Sequence, residues 1–386
     1  MENKKFKFKC IKCNQLSETE NFCDCGNKYY SFKTLEYDYE KIGKNGIDFW
    51  DCSKGFEKYL PLLPCKEINL TLGEGNTPLL KLNNYGKKSG YNNLYLKDET
   101  TNPTGSFKDR ETAIITNYAK EKGYDKFLIT SSGNAAVSAA AYSNIAGITC
   151  DCYVPEDTSS GKKHLLSIFG AKLITQPGEY EEIYRRLIDE EVLDDMTWNI
   201  TSGINVFKEE GNKIIAFEIF REIGIPDKVV APIGNGGLFA GLYKGFCELK
   251  KIGVTDKIPQ MIGVQIKEYS PIAKAMEAGE DFSIIEEEPD SIAEAGIAAQ
   301  ESYCSPLVIQ AITESGGKLI QIVDEDLIQA LNDLLKYESF LAEPTSFAPF
   351  AALGKMESSA DEKVVCVGTG NAYKNLPEIF SLLGKK

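Results

Sequence analysis

The chain has 386 residues, 42% of them apolar, and carries 57 acidic against 43 basic residues, which gives a formal net charge of −14. This length exceeds a usual single domain of roughly 100–200 residues and is long enough to bury a large core, so two α/β lobes are expected. The acidic balance repels phosphate-rich polymers and anionic membrane surfaces, so neither nucleic acid nor a membrane is an expected partner.

The start of the chain, MENKKFKFKC, lacks the apolar stretch of a secretory signal, and no run of eighteen apolar residues follows. A cytoplasmic location is therefore expected. The eleven cysteines are too sparse for a disulfide scaffold in a chain of this length, and most are interpreted as reduced thiols.

Four of these cysteines lie close together near the start, as a CxxC pair (Cys10 and Cys13) and a CxC pair (Cys23 and Cys25). Thiolates suit tetrahedral zinc, so residues 1–30 are predicted to form a zinc-knuckle-like extension that holds Zn²⁺. The second pair is closer than in a usual zinc ribbon. The alternative is therefore a short β-rich extension with four free thiols and no metal.

After a connector at residues 31–75, short apolar runs alternate with longer amphipathic stretches, as a mostly parallel sheet with crossover helices requires. Residues 76–212 are predicted to form a first α/β lobe and residues 213–386 a second. Strands are predicted at Phe127–Thr130, Cys152–Val154, Leu173–Thr175, Val229–Ala231, Met261–Val264, Leu319–Val323 and Val364–Val367, and helices at Ala135–Ile145, Tyr180–Glu190, Lys213–Ile223 and Asp326–Tyr337.

Three predicted strands end in loops that suit anions, at 131–134 (SSGN), 232–237 (PIGNGG) and 368–371 (GTGN). Ligands of open α/β sheets bind beyond the carboxyl ends of the strands, and a glycine turn before a helix exposes backbone N–H groups to a phosphate. One such loop alone is ordinary in α/β proteins, but three together indicate a site. The glycine spacing at 234–241 does not match the dinucleotide-binding pattern, and no Walker A sequence is present.

A fourth element, residues 102–110 (NPTGSFKDR), presents Lys108 from a turn rich in Pro and Gly just before a helical run. A lysine is usually a solvated surface charge. Burial in a cleft disfavours the ammonium form, however, and makes the amine nucleophilic enough to condense with an aldehyde.

The segments NPTGSFKDR, SSGN, GNGG and EPTSFAPFAAL occur in this order, and with them the chain resembles threonine synthase and its relatives among the fold-type-II pyridoxal-phosphate enzymes. The likeness extends to the cysteine-bearing start, GEGNTPL at 73–79, NVFKEEGNK at 205–213 and VVCVGTGNAYK near the end. It implies an α/β fold like that of the tryptophan synthase β subunit, with two three-layer lobes, parallel-rich sheets and a zinc-ribbon-like extension. It also implies a homodimer.

The resemblance further implies roles for individual residues. Lys108 would hold pyridoxal 5'-phosphate as a Schiff base and later move the α-proton, while Phe107 would pack near the cofactor ring. Asn134 would bind the phenolic oxygen of the cofactor, and Thr369 would face its pyridine nitrogen. The cofactor phosphate would be held by Gly234, Asn235, Gly236, Gly237 and Leu238, and the substrate would contact Ser131, Ser132, Gly133, Ala135, Lys208 and Asn371.

The implied reaction converts O-phospho-L-homoserine and water into L-threonine and phosphate through an external aldimine, γ-elimination and β-hydration. Three substrate positions depart from the family pattern, because Ala135 replaces a threonine, Lys208 an arginine and Asn371 a histidine. Altered contacts of this kind redirect specificity. One alternative is another pyridoxal-phosphate-dependent lyase or β-replacement enzyme that acts on a substrate such as O-phosphoserine, similar to a cysteate synthase or a threonine/serine dehydratase. Another is a non-catalytic regulatory module that binds the cofactor.

Overall fold

The structure is a computed structural model that describes residues 5–20, 22–51, 55–158, 160–189, 195–293, 296–374 and 376–383. The strands are β1 (Phe6–Cys10), β2 (Leu16–Ser17), β3 (Lys33–Tyr37), β4 (Leu79–Lys81), β5 (Asn93–Asp98), β6 (Lys126–Thr130), β7 (Thr149–Pro155), β8 (Lys172–Gln176), β9 (Thr197–Asn199), β10 (Lys228–Pro232), β11 (Gln260–Ile266), β12 (Lys318–Ile322) and β13 (Lys363–Gly368). The helices are α1 (Tyr39–Asn45), α2 (Asn83–Ser89), α3 (Lys108–Lys122), α4 (Asn134–Ala146), α5 (Ser160–Ile168), α6 (Tyr180–Asp189), α7 (Lys208–Ile223), α8 (Gly237–Lys251), α9 (Pro271–Ala278), α10 (Ser305–Glu314), α11 (Asp324–Glu338), α12 (Ala348–Ala352) and α13 (Leu376–Leu382).

Two sheets rich in parallel strands form the framework, which confirms the predicted α/β class. The smaller sheet has the order β8-β7-β6-β9 and is parallel throughout. The larger sheet has the order β12-β11-β10-β13-β5-β4, in which only the β4–β5 pair is antiparallel. The larger sheet thus takes β4 and β5 from before residue 212 and its other strands from after it, so it draws on both predicted lobes.

Each predicted strand is present, with its ends shifted by at most three residues. The predicted helices correspond to α4, α6, α7 and α11, although the predicted end of α6 at Glu190 lies outside the described residues. Strands β4, β5 and β9 were not predicted. Two of them have only three residues, and β5 ends in a buried Lys97 and Asp98, which break the apolar pattern of a central strand.

A third, antiparallel sheet has the order β2-β1-β3 and contains the cysteine-bearing start of the chain. Alternation along β1 buries Phe6 and Phe8, and both rings pack against Phe207 at the start of α7. On the same sheet, Cys10 joins an aromatic cluster with Tyr30 and Tyr303. The N-terminal sheet is therefore packed against the α/β framework.

Helix α7 packs between α3 and α8. A Cβ atom on Gly211 would lie 2.2 Å from the carbonyl oxygen of Arg110, so only glycine allows α3 to approach this closely. The contact brings the first turns of α3 and α7 together. Several charged residues of α7 are buried as a result and need partners in place of water.

Within the described ranges, no helix is both long and apolar enough to cross a membrane.

Candidate functional site

The turn that carries Lys108 packs directly on the turn after β13. Lys108 is the first residue of α3, and the N–H of the preceding Phe107 donates to the carbonyl oxygen of Thr369 at 3.0 Å. The N–H of Asn371 donates in turn to the carbonyl oxygen of Gly105 at 2.7 Å. Two of the segments singled out in the sequence therefore share one cleft.

The Lys108 amine is held by a carboxylate that sequence reasoning missed. Its Nζ lies 3.0 and 3.2 Å from the two carboxylate oxygens of Glu111 and 4.4 Å from the centre of the Phe107 ring. Glu111 also accepts hydrogen bonds from Lys208 Nζ at 3.2 Å and from Asn212 Nδ2 at 2.8 Å. The Lys108 side chain is 17% exposed, so most of it is removed from bulk water.

Burial and the charges of the two lysines and Glu111 shift the pKa values within this cluster. Burial alone would raise the pKa of Glu111, but Lys108 and Lys208 outweigh it and hold that pKa below its usual value. Burial lowers the pKa of Lys208, and Glu111 opposes that shift only in part. Glu111 is therefore a buried carboxylate that stays ionised because it has cationic partners.

The SSGN loop leads from β6 into α4. Ser131 Oγ accepts a hydrogen bond from the N–H of Gly133 at 3.2 Å, Ser132 is half-buried, and Ala135 is buried in the first turn. The first N–H groups of a helix have no acceptor within it, so this end of α4 can offer donors to an anion. Asn134, the first residue of α4, points its amide at the loop before α12.

Glu343 in that loop joins two of the predicted cofactor contacts. Asn134 Nδ2 donates to one carboxylate oxygen of Glu343 and Thr369 Oγ1 to the other, each at 2.8 Å. Lys374 donates to Asn134 Oδ1, and Ser346 Oγ lies 3.0 Å from Thr369 Oγ1. The EPTS motif was noted in the sequence, but no role was assigned to its glutamate.

The GNGG loop before α8 has the shape of a phosphate cradle. Gly236 has φ +95°, and a Cβ atom there would lie 2.6 Å from Val308 Cγ2, so the position requires glycine. The amides of Gly237 and Leu238 lie in the first turn of α8 and have no acceptor within the helix. A phosphate group fits this end, since bare N–H groups and the helix dipole both favour an anion.

Neighbouring loops fix the cradle in place. Ser302 Oγ donates to the carbonyl oxygen of Gly234 at 2.6 Å, and the N–H of Tyr303 donates to Asn235 Oδ1 at 3.1 Å. The predicted phosphate contacts are thus held by backbone and side-chain bonds.

Glu209 is an acidic side chain beside the cradle that was also missed. One of its oxygens lies 3.6 Å from Cys304 Sγ and would lie 3.4 Å from a Cβ atom on Gly237, while its other oxygen has no hydrogen-bond partner. Burial raises the pKa of Glu209 to about 8. At neutral pH the carboxyl group is therefore mostly protonated and does not repel a phosphate.

Comparisons with known proteins identify the family of the chain. Residues 70–370 match the family profile described as pyridoxal-phosphate dependent enzyme. The chain is 33% identical to the threonine synthase of Methanosarcina acetivorans, over 96% of this chain and 92% of that protein. It is also 33% identical to the threonine synthase of Methanocaldococcus jannaschii, over 95% of this chain and 92% of that protein.

The chain belongs to the threonine synthase family of pyridoxal-phosphate-dependent enzymes.

Solved structures share the fold of this threonine synthase family member at lower sequence identity. A fungal L-serine ammonia-lyase from Rhizomucor miehei superposes with a TM-score of 0.67 at 20% identity, over 81% of this chain and 98% of that one. Maize serine racemase superposes with a TM-score of 0.66 at 19% identity, over 80% and 92% of the two chains. These similarities show the fold alone.

The protein also carries a candidate metal centre beside its N-terminal sheet. The Sγ atoms of Cys10, Cys13, Cys23 and Cys25 all lie within 4.8 Å of one another. The separations are 3.4 Å for Cys10–Cys25, 3.5 Å for Cys13–Cys23 and 3.2 Å for Cys23–Cys25. Four ligands at a Zn–S distance of about 2.3 Å would stand roughly 3.8 Å apart, close to these values. The four residues thus fit a tetrahedral ion.

A cavity of about 280 Å³ lies away from Lys108, between the N-terminal sheet and α8. Lys9, Tyr39 and Lys251 line it, and Glu209 reaches it from the cradle side. Lys108 and the SSGN loop are not part of its wall.

Proposed function

We propose that the chain is a threonine synthase that converts O-phospho-L-homoserine and water into L-threonine and phosphate. The observation that supports the proposal is the position of the turn that carries Lys108, which is hydrogen-bonded to the turn at Thr369 and is joined through Lys374 to Asn134 of the SSGN loop. Pyridoxal phosphate, when bound, supplies an electron sink that loosens the protons beside the substrate amino group.

The chain's own residues would divide the work between cofactor and substrate. Lys108 would hold the cofactor covalently, with Phe107 against its ring and Asn134 and Thr369 at its polar edges. Residues 234–238 would bind the cofactor phosphate through backbone N–H groups. The fit rests on the glycine-only conformation at the cradle and on the free amides of the α8 terminus.

Substrate binding would use the N-terminal end of α4, which follows the SSGN loop. The N–H groups of residues 131–133 would hold the substrate carboxylate, and Lys208 would attract the substrate phosphate, with Ala135 and Asn371 lining the same region. Once displaced from the cofactor, Lys108 would take the α-proton at its Nζ atom and return a proton later. Closure of the cleft would exclude water from these transfers.

A second candidate is a lyase or β-replacement enzyme for a related amino acid such as O-phosphoserine. The observation that favours it is the ion pair between Lys208 and the buried Glu111, which neutralises the cation expected to hold the phosphate. Together with Ala135 and Asn371, this leaves the phosphate contacts weaker than in the family pattern.

The proposal also includes a Zn²⁺ ion on the four N-terminal cysteines, a homodimeric assembly and a cytoplasmic location. The zinc ion is supported by the clustered thiols, and the homodimer by the family resemblance. The location is supported by the acidic composition and the unpaired cysteines, since the ten cysteines within the described ranges are all free.

Absorbance and phosphate release test the proposal. Purified protein should be yellow with pyridoxal phosphate and lose that colour on borohydride reduction, and Lys108→Ala should lack the band of the covalently held cofactor. Phosphate release should then be measured with O-phosphohomoserine and with O-phosphoserine, and release of ammonia should be measured with threonine in parallel. Release of phosphate with production of threonine from the first compound supports the leading function, and activity on the second alone supports the alternative.

A further inference from the structure

Glu111 is a buried charge to which none of the roles above gives a task. Its side chain is 1% exposed, and each of its oxygens has two donors. Oε1 accepts from Lys108 at 3.0 Å and from Asn212 at 2.8 Å, and Oε2 accepts from Lys108 and Lys208, each at 3.2 Å. A carboxylate with this many partners has one fixed position.

We propose that Glu111 is a positioning residue, which holds the free amine of Lys108 at the place from which it attaches to the cofactor. The inference rests on the proposed function, since it concerns the same lysine. It adds a residue outside the motifs that carry the family resemblance.

Two features of the packing fix the position of the Glu111 carboxylate. It lies one turn after Lys108 on α3, so the pair is spaced three residues apart on one helix face. Its other partners come from α7, which Gly211 allows to approach α3 closely. Contacts within α3 and from α7 thus fix Glu111, while the long side chain of Lys108 is the part that moves.

The balance of charges around Glu111 gives a second reason to assign it the role of positioning Lys108. The ammonium groups of Lys108 and Lys208 each lie 3.2 Å from the same oxygen of Glu111. Two positive charges gathered around one carboxylate would repel each other if that carboxylate were removed. Asn212 then fixes the carboxylate from the side that the lysines leave open. Without Glu111, the Lys108 amine is expected to swing away from Lys208 and to sample many positions in the cleft.

Attachment is a condensation. The ammonium form of Lys108 gives one proton to solvent, and Nζ then bonds to the aldehyde carbon. The two remaining amine hydrogens leave with the aldehyde oxygen as one water molecule. Such a step depends steeply on the position of the nucleophile, and a displacement of about 1 Å costs on the order of 100-fold in rate.

Rapid mixing separates capture of the cofactor from its attachment. Full-length protein freed of cofactor is mixed with pyridoxal phosphate, and absorbance and fluorescence are followed. Capture by the cradle gives a phase that depends on cofactor concentration, and attachment gives a later phase that does not. Glu111→Gln should slow the second phase by about 10- to 100-fold and leave the first unchanged.

Pyridoxamine 5'-phosphate is the matched probe, because it carries an amine in place of the aldehyde and cannot bond to Lys108. Its dissociation constant should be the same for wild type and Glu111→Gln. Glu121→Gln, in the last turn of the same helix, is the control variant and should attach the cofactor at the wild-type rate.

Glu111→Gln leaves Lys208 buried without its anion, so the double variant Glu111→Gln/Lys208→Met is made in parallel to keep the fold neutral and packed. Slow attachment in both variants supports the proposal. Attachment at the wild-type rate in either folded variant overturns it. If wild type itself captures pyridoxal phosphate but never attaches it, the proposed function fails instead, and the two failures are distinct.

Discussion

Asn134 donates a hydrogen bond from Nδ2 to Oε2 of Glu343 at 2.8 Å and so ties the first turn of α4 to the loop before α12. Glu343 receives Thr369 Oγ1 on its other oxygen, also at 2.8 Å. Both partners are proposed to contact the cofactor ring. The carboxylate therefore sets the relative position of two side chains that come from distant parts of the sequence.

Glu343→Gln should weaken cofactor binding. The amide of the variant can accept from Asn134 with its oxygen but presents an N–H group to the Thr369 hydroxyl, so Thr369 can no longer donate to a carboxylate there. A buried bond to a charged group of this kind is worth about 1–2 kcal/mol, or roughly tenfold in affinity. The dissociation constant for pyridoxal phosphate is measured by absorbance titration. Glu357→Gln, whose side chain is 93% exposed, is the control, and equal affinities in the two variants would argue against this role.

Gly236→Ala should abolish the phosphate cradle. The backbone there has φ +95°, which strains any residue with a Cβ atom, and the added methyl group would lie 2.6 Å from Val308. We expect cofactor affinity to fall by more than about tenfold, since left-handed strain alone costs about 1–2 kcal/mol. The control is Gly354→Ala, which has open space around it. Retained affinity in Gly236→Ala would mean that the phosphate binds elsewhere.

The framework and the loops of the site could be predicted because both are local in sequence. A parallel strand buried on both faces is a short apolar run, and the loop after it carries its own glycines. This is why β6, β10 and β13 and the turns that follow them were predicted correctly.

Glu111 and Glu343 could not be predicted in the same way. An acidic residue on a helix normally faces water, and nothing in the local sequence shows that α7 approaches α3 at Gly211. Two of the partners of Glu111, Lys208 and Asn212, lie 97 and 101 residues away in the sequence, so their meeting with Glu111 depends on tertiary packing alone. Buried charges of this type become visible only when the helices are in place.

A second buried cluster, around Arg110, should dominate the stability of the framework. Its guanidinium is fully buried and bonds to Glu99 and to Glu218, and Lys97 reaches the same Glu218. Arg110→Met leaves two carboxylates short of a partner and should lower the free energy of unfolding by about 3–5 kcal/mol in urea titrations. Lys44→Ala, which breaks only an exposed pair, should cost less than about 1 kcal/mol. Similar losses in the two variants would contradict this ranking.

Zinc should be bound in a ratio of one ion per chain. Cys10→Ser removes one of four clustered thiols, and we expect the zinc content after dialysis against a chelator to fall and the melting temperature to drop with it. Metal content is measured by elemental analysis. Cys247→Ser changes a half-buried thiol on α8 and should keep the full content. Wild-type protein without metal would favour the alternative of four free thiols.

The charge state of Glu209 should make stability depend on pH. Burial raises its pKa to about 8 in the folded chain, whereas an exposed glutamate has a pKa of about 4.3. Between these pH values the unfolded chain loses a proton that the folded chain keeps. Each unit of rising pH therefore removes about 1.4 kcal/mol from the free energy of unfolding, until the pH passes the folded pKa.

Glu209→Gln keeps a neutral side chain of similar size and cannot ionise. Its free energy of unfolding relative to wild type should therefore increase steadily between about pH 5 and pH 8 and level off above that range. Urea denaturation at each pH measures the difference, with Glu40→Gln as a control because that side chain is 82% exposed. A difference that stays constant across the range would show that the folded protein ionises Glu209 as readily as the unfolded chain does. The carboxyl group would then be a fixed negative charge beside the cradle, and phosphate binding there would have to overcome it.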